Sequence, residues 1–147
     1  MIINKNRTIT KSLEKNNNWY IINAADYTLG RLASKVAYVL KNKNEVKYLP
    51  YKTDNQKIII INSKKIKVTG KKKQQKTYKR HSGRPGGLKI ETFEELQKRI
   101  PNKIIEKALK GMLPKNHLGN KLFKKVKIYS SDQHPYESKK PVQLNIN

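Results

Sequence analysis

Four consecutive isoleucines, Ile58 to Ile61, constrain the fold of this chain more than any other feature. A β-strand points its side chains alternately to two faces, so a run that is apolar at every position predicts a strand covered on both sides. Such strands belong to parallel sheets, because the helices that connect parallel strands pack onto the faces of the sheet. We therefore expect a buried parallel strand at this run.

The residues before the isoleucines supply the other parts of a βαβ unit. The stretch WYIINA, residues 19–24, is short, aromatic and branched, which favours a buried strand. Asp26 or Thr28 can cap the start of the helix that follows. Its apolar residues recur at i, i+3, i+4 and i+7 and predict one buried helical face, formed by Leu29, Leu32, Ala33, Val36, Ala37 and Leu40. A βαβ unit of this kind is right-handed in nearly all proteins.

The chain after the isoleucines predicts further short elements. A capping box at TFEE (92–95) starts one helix, and a second helix begins near Pro101 and can close at Gly111. The remaining predicted elements are strands at KIKV (65–68), KTYKRH (76–81) and VKIYS (126–130), and a short helix within HLGNKLFKK (117–125).

Together these elements predict an α/β fold, with three α/β/α layers, a mostly parallel central sheet, a basic loop and terminal extensions. A chain of 147 residues is long enough to bury a core, since it can hide roughly 68–70% of its extended surface. We expect a flexible polar arm at residues 1–18, a single α/β domain at 19–130 and a C-terminal tail at 131–147 that lies on a partner.

The charge of the chain points to a polyanionic partner. It carries 34 Lys and Arg against 10 Asp and Glu, a net charge of +24. So positive a surface repels itself, and phosphate backbones are the commonest partner that relieves this repulsion. No apolar run of about twenty residues and no long basic amphipathic helix is present, so a membrane partner is not expected. The N-terminus has no apolar signal region, so secretion is not expected either.

Two basic zones are the candidate binding surfaces. TGKKKQQKTYKRHSGRPGGLK, residues 69–89, has eight Lys and Arg and no acid. Pro85 stiffens the turn before two glycines, which allow the backbone to approach a phosphate closely. Tyr78 and His81 could stack on an unpaired base, but Tyr78 equally suits a strand position facing the core. In the second zone, residues 110–125, apolar residues anchor the segment while lysines project.

The motifs give little support to the hypothesis that the chain is an enzyme. TLGRLAS lacks the G-x-G-x-x-G fingerprint, and GKKKQQK has one glycine where a phosphate-binding loop needs two. The acids are scattered, the chain has no cysteine, and its three histidines lack metal-ligand spacing. His81 and Arg84 could act on a phosphodiester only together with a second acid or base, and the sequence places none beside them. We expect no catalytic residue, cofactor or metal; a free-standing regulatory RNA-binding protein and, far behind it, a nucleotide-dependent enzyme are the alternatives.

Seven segments in order carry a resemblance to a known family. They are WYIINA, TLGRLAS, KVTGKK, HSGRPGG, FEELQKRIP, KGMLPKNHLG and LFKKVKIY. The chain from Trp19 to about Leu144 resembles the bacterial-type large-subunit ribosomal proteins of universal family thirteen. RHSGRPGG looks most like cyanobacterial and plastid members, and the abundance of Lys, Asn and Ile is typical of A+T-rich coding.

The resemblance implies a parallel α/β fold, early incorporation into the large subunit, and contacts with its RNA and neighbouring ribosomal proteins. It implies no catalysis, and we expect no membrane partner and no homo-oligomer. The expected location is the large subunit of a plastid (chloroplast) ribosome or, otherwise, of a ribosome in bacterial cytoplasm. The departures from the family pattern are Tyr51 and Tyr136 in place of histidines and Asn120 in place of an arginine.

The implied RNA contacts fall in the two basic zones. From the first zone the resemblance transfers Lys71, Lys72, Lys73, Lys76, Arg80, His81, Arg84, Gly86 and Gly87, and from the second Lys110, Lys115 and Lys121. Tyr78, Lys79, Lys89 and Lys124 join the predicted set because they lie in the same zones.

Overall fold

The computed structural model describes residues 18–45, 48–51 and 55–145. The strands are β1 (Trp19–Asn23), β2 (Lys57–Ile61), β3 (Thr77–His81), β4 (Leu88–Thr92), β5 (Val126–Ile128) and β6 (Val142–Gln143). The α-helices are α1 (Leu29–Leu40), α2 (Lys72–Gln75), α3 (Phe93–Arg99), α4 (Pro101–Met112) and α5 (His117–Lys124). Except for Asn18, the predicted N-terminal arm lies outside the described residues.

A four-stranded sheet in the order β5-β2-β1-β6 forms the centre of the molecule. β1 pairs with β2 in parallel, with Ile22 opposite Ile60. On the outer sides, β5 pairs with β2 and β6 pairs with β1, both in parallel. Every pairing of this sheet within the described residues is therefore parallel, and helices pack against it. The predicted α/β class with a mostly parallel central sheet is confirmed.

The isoleucine run of β2 is buried on both faces, as predicted. Ile58 and Ile60 are fully buried in the main core with residues of α1, α3, α4 and α5. Ile59 and Ile61 point to the opposite face and pack with Trp19 of β1. Full burial of one such side chain contributes about 1.5–3 kcal/mol, so this strand anchors both sides of the sheet.

The chain after β5 covers the second face of the sheet. The Tyr136 ring lies 4.8 Å from the Trp19 ring, between centroids, and Tyr129 meets Tyr136 edge-on. After a short 3-10 helix at Glu137–Lys139, the chain pairs with β1 as strand β6. The predicted tail thus contributes to the sheet of its own chain, and the position of the domain boundary stays a prediction.

The predicted strand at KIKV is wrong. A 3-10 helix covers Ser63–Lys65, and only Lys67 makes an isolated bridge, to Thr28. Asn62, at φ 57°, turns the chain out of β2 in the left-handed region. The Gln97 side-chain amide then donates to the carbonyl oxygens of Lys64 (2.7 Å) and Ile66 (3.4 Å), so these groups need no neighbouring strand.

Two details at the helix ends also differ from expectation. Gly111 lies inside the last turn of α4, which ends at Met112. The C-cap residue, Leu113, has an extended backbone and donates its N–H to the Leu109 carbonyl. Gly111 therefore does not close the helix with a left-handed residue. Thr28 occupies the N-cap position of α1, but its side chain makes no capping hydrogen bond, and Asp26 lies in the preceding 3-10 turn.

Candidate nucleic-acid interface

The first basic zone folds as an antiparallel hairpin preceded by a single helical turn. β3 pairs with β4 from Thr77 opposite Thr92 to His81 opposite Leu88. The short helix α2 carries the lysine triplet: Lys71 is its N-cap, and Lys72 and Lys73 begin it. All three lysines are exposed. The hairpin was predicted only by its first strand; the alternation in LKIET marks the second.

The loop between the strands needs its glycines. The Gly87 N–H donates to the Arg84 carbonyl at 2.9 Å, and Gly86 has φ +71°, as a type II turn with Pro85 at its second position requires. A Cβ on Gly87 would lie 2.0 Å from the Ser82 hydroxyl oxygen and 2.9 Å from the Arg84 carbonyl oxygen. This turn therefore fixes the direction in which the tip of the hairpin projects.

The base of the hairpin is held by α3. The Phe93 N–H donates to the Lys76 carbonyl at 2.8 Å, and the Phe93 side chain is fully buried. The predicted capping box is confirmed: the Thr92 N–H donates to Glu95 Oε2 at 2.8 Å, and the Glu95 N–H donates to Thr92 Oγ1 at 3.3 Å. Hydrogen bonds to the Glu95 carboxylate, first from the Thr92 backbone N–H and then from the Thr92 side chain, lower the pKa of Glu95 below its ordinary value.

Tyr78 connects the hairpin to the core. Its ring lies 6.5 Å from the Phe93 ring and packs against the main cluster. Lys107 Nζ and Lys76 Nζ lie 4.7 and 5.6 Å from its ring centroid. Burial raises the pKa of the Tyr78 hydroxyl, which has no hydrogen-bond partner among the described residues. The geometry favours the core alternative for Tyr78, since a stacking base would have to displace an ammonium group.

The cations of the hairpin lie on both of its faces. Arg80 and Lys89 are cross-strand partners, and like charges placed directly opposite destabilise an isolated hairpin. Lys79 lies opposite Ile90, on the face that also carries His81 and Leu88. The only acid of the two strands, Glu91, pairs with Arg99. An anion bound near Arg80 and Lys89 would relieve their repulsion.

His81 is oriented by the loop. Its Nδ1 accepts a hydrogen bond from the Gly83 N–H at 2.9 Å, which leaves Nε2 as the nitrogen for a ligand. Arg84 is exposed in the loop and Lys76 is exposed just before β3. The hairpin and α2 therefore bring the predicted residues of the first zone onto one projecting unit.

The second zone forms the corner between α4 and α5. Lys110, Lys115, Lys121 and Lys124 are all exposed there. Leu122, 2% exposed, anchors α5 in the core, so the lysines project as predicted. Sequence reasoning missed Lys107, which reaches Tyr78 of the hairpin; its spacing from Lys103 and Lys110 on one exposed face of α4 was the available signal.

Within the described ranges, no group of three His, Cys, Asp or Glu residues is placed to hold a metal ion. Among the same residues, no helix has the length and apolarity needed to cross a membrane.

Comparison with known proteins decides the family. Residues 17–135 match the family described as ribosomal protein L13. The chain belongs to the ribosomal protein L13 family. It is 57% identical over 129 residues to the large ribosomal subunit protein uL13 of Thermosynechococcus vestitus, covering 88% of this chain and 85% of the relative. It is 53% identical over 142 residues to that of Prochlorococcus marinus, covering 96% and 95%.

The L13 resemblance drawn from the segments is thereby confirmed. Because the L13 family consists of structural ribosomal proteins, membership also confirms the prediction that the chain is not an enzyme. The cyanobacterial relatives agree with the lineage indicated by RHSGRPGG.

The segment KGMLPKNHLG, the most specific part of the L13 resemblance, has a geometric explanation. The Asn116 side chain caps α5 by accepting the Gly119 N–H at 2.9 Å. The capped turn presses Gly119 against the Pro114 carbonyl, where a Cβ would lie 1.8 Å from the oxygen. Glycine at this position therefore allows α4 and α5 to meet in a tight corner, which presents the second group of lysines.

The departures from the L13 pattern have different structural settings. Tyr136 packs against Trp19 on the second face of the sheet. Asn120 is exposed on α5 and Tyr51 is 67% exposed. Tyr136 thus contributes to the packing of the second face of the sheet, whereas Asn120 and Tyr51 lie on the surface.

Proposed function

We propose that this chain is a structural constituent of the large ribosomal subunit, where it binds large-subunit ribosomal RNA and supports assembly of the particle. The observation that carries the proposal is the projecting unit of α2 and the β3–β4 hairpin. It exposes eight cations, and its only acid is already paired with Arg99. Family membership and the names of the relatives point to the same particle.

The proposed mechanism is charge neutralisation with a fit to RNA shape. Lysines and arginines that contact phosphates release condensed counterions, which drives binding without reading sequence. The loop glycines let the backbone approach the RNA. The proposed contacts are the predicted set apart from Tyr78, whose ring packs on the core. They are Lys71, Lys72, Lys73, Lys76, Lys79, Arg80, His81, Arg84, Gly86, Gly87 and Lys89 from the hairpin unit, and Lys110, Lys115, Lys121 and Lys124 from the α4–α5 corner.

The proposed location is the ribosome of a plastid or a bacterium, with neighbouring large-subunit proteins as further partners. Cyanobacterial relatives at 52–57% identity support this setting. We propose that the chain joins the particle as a single copy rather than as a homo-oligomer.

The salt dependence of RNA binding tests the proposal. The Lys71→Ala, Lys72→Ala, Lys73→Ala triple variant should bind a large-subunit ribosomal RNA transcript more weakly than the natural chain. The slope of log affinity against log salt should fall by roughly 0.7–0.9 for each phosphate that the variant no longer neutralises. A matched control removes three exposed lysines outside the proposed contacts, at Lys64, Lys127 and Lys139. Equal slopes for the two triple variants would exclude the lysine triplet from the interface.

Sedimentation distinguishes the proposal from a free-standing regulatory RNA-binding protein. A structural constituent should sediment with the large subunit in an extract and remain there after a moderate salt wash. Recovery of most of the chain in slow fractions, away from the subunit, would favour the regulator.

A further inference from the structure

Three adjoining cavities form one continuous groove along helix α1. The first, of about 520 Å³, lies at the start of α1. It shares Ser34 and Met112 with the second cavity, of about 300 Å³. The second shares Lys41 and Lys43 with the third, of about 220 Å³, which reaches α5. Shared lining residues make the three cavities one surface feature, which we call the α1 groove.

The α1 groove follows the whole length of the helix. Its lining residues on α1 include Gly30, Ser34 and Tyr38, spaced four residues apart on one exposed stripe, and Lys41 follows at the C-cap. The opposite wall comes from the end of α4, at Met112. Twelve helical residues span about 18 Å, which is the length of at most about five nucleotides, counted at the stacked duplex rise of about 3.4 Å.

The charge lining the groove has one sign. Arg31, Lys72 and Lys76 line the first cavity, and Lys41 and Lys43 line the other two. Among the residues that the structure describes, no acidic residue lines any of the three cavities. A ligand that occupies the full groove must therefore carry negative charge at intervals along its length.

Exposed apolar surface lies between these cations. Tyr38 is 43% exposed and Met112 is 40% exposed, and both line the middle cavity. Sites for single-stranded nucleic acid combine a positive groove, which follows the backbone, with aromatic side chains on which bases stack. The bases of a duplex are already stacked on one another, so an apolar floor suits unpaired nucleotides.

We propose that the α1 groove binds an unpaired RNA segment, with phosphates at Arg31, Lys41 and Lys43 and a base stacked on Tyr38. This site is separate from the hairpin surface, although its first cavity borders Lys72 and Lys76 of that surface. The α1-groove proposal rests on the proposed function, because both take RNA as the partner. It adds a second site, which recognises single strands, and four of its residues lie outside the predicted contacts.

Binding of a short oligouridylate to the full chain tests the groove. The probe has about eight nucleotides, within the range of about 4–16 that single-strand sites cover, and forms no stable duplex. Tyr38→Ala should weaken binding about fivefold or more, as removal of one base stack does. Tyr38→Phe keeps the ring and should retain the affinity. Tyr51→Ala is the matched control, because Tyr51 is exposed and lines none of the three cavities.

A second variant blocks the groove without changing charge. Ser34 lies where two cavities meet, and Ser34→Trp should fill that junction and weaken oligouridylate binding. Circular dichroism and thermal unfolding show whether each variant is folded, and Tyr38→Ala carries the test if Ser34→Trp is not. Unchanged affinity in folded Tyr38→Ala would overturn the proposal. So would a polyglutamate peptide of equal charge that binds as tightly and is equally sensitive to Tyr38→Ala, since it would assign the groove to an acidic protein segment.

The two RNA probes separate failure of the groove from failure of the proposed function. If groove variants leave oligouridylate binding unchanged while the lysine-triplet variant still weakens binding of the ribosomal transcript, only the groove proposal fails. If the natural chain binds neither RNA, the proposed function fails as well.

Discussion

Substitution of Gly119 by alanine tests how closely α5 must approach the end of α4. The added Cβ would lie 1.8 Å from the Pro114 carbonyl oxygen and 2.8 Å from its carbonyl carbon. Ordinary contact begins near 3.4 Å, so the backbone of this corner must open by more than an ångström. The obstacle is main chain rather than the end of a flexible side chain, and no rotamer change can relieve it.

Two opposing effects set the magnitude. Alanine in a helix is more favourable than glycine by up to about 1 kcal/mol. Forced overpacking typically costs about 1–3 kcal/mol, and the Asn116 cap on the Gly119 N–H is strained in addition. We therefore expect Gly119→Ala to destabilise the chain by about 1–2 kcal/mol net, despite its better helix propensity.

Gly111→Ala is the matched control. Gly111 also lies in a helix, is exposed, and has nothing within 4 Å of the Cβ position. Here only the propensity acts, so this variant should gain about 0.5–1 kcal/mol. Thermal and urea unfolding should therefore place the two variants on opposite sides of the natural chain. For a domain of this size their unfolding midpoints should differ by roughly 4–10 °C.

The sign of the Gly119 result decides the matter. A Gly119→Ala chain as stable as the natural one, or as stabilised as Gly111→Ala, would show that the corner is loose. The presence of glycine at position 119 would then need an explanation other than the close approach of α5 to Pro114.

Three further outcomes follow from the geometry. Thr92→Ala should cost about 1 kcal/mol in urea unfolding because it removes the side-chain N-cap. Since the pKa of Glu95 is lowered in the fold, its stabilising effect is present above its unfolded-state pKa and is lost as pH falls through the folded value, so unfolding midpoints of the natural chain should fall in acid more than those of Glu95→Gln. Ile60→Ala should cost about 2–5 kcal/mol in urea unfolding, whereas Ile90→Ala, at a position 53% exposed, should change stability by about 0.5 kcal/mol or less. Tyr78→Phe should be at least as stable as the natural chain, because it removes a buried hydroxyl that has no hydrogen-bond partner among the described residues, and a marked drop in stability by calorimetry would reveal a hydrogen bond to that oxygen.

The βαβ core could be predicted from sequence because its signals are local. Ile58 to Ile61 are apolar at every position, and the helix spacing after Leu29 shows which face is buried. KIKV alternates like a strand as well, and no local pattern shows that Gln97, more than thirty residues away, binds the carbonyls of this segment. Strand β6 has only two residues and is recognisable only through its partner, β1.

Some features of the candidate interface could likewise be predicted from the sequence, and others could not. The cation-rich zones could be read from the sequence, because charge follows from composition. The orientation of Tyr78 could not, since alternation in KTYKRH does not say which face meets Phe93. The α1 groove was hidden for a related reason. The helical pattern predicts only that Tyr38 points outward from α1. The packing of α4 beside α1 places it in one cavity with Ser34 and Met112.

Strand β6 also determines when this protein can finish folding. Tyr20 and Val142 are paired neighbours in the sheet, although they lie near opposite ends of the chain. During synthesis this edge of β1 must therefore stay without this partner until the chain has grown from Tyr20 as far as Val142. Long-range parallel pairing forms slowly, and an unpaired strand edge is the part of a nascent chain most open to wrong partners. Val142 and Gln143 thus complete an edge of the sheet that β1 leaves open while the residues between them are made.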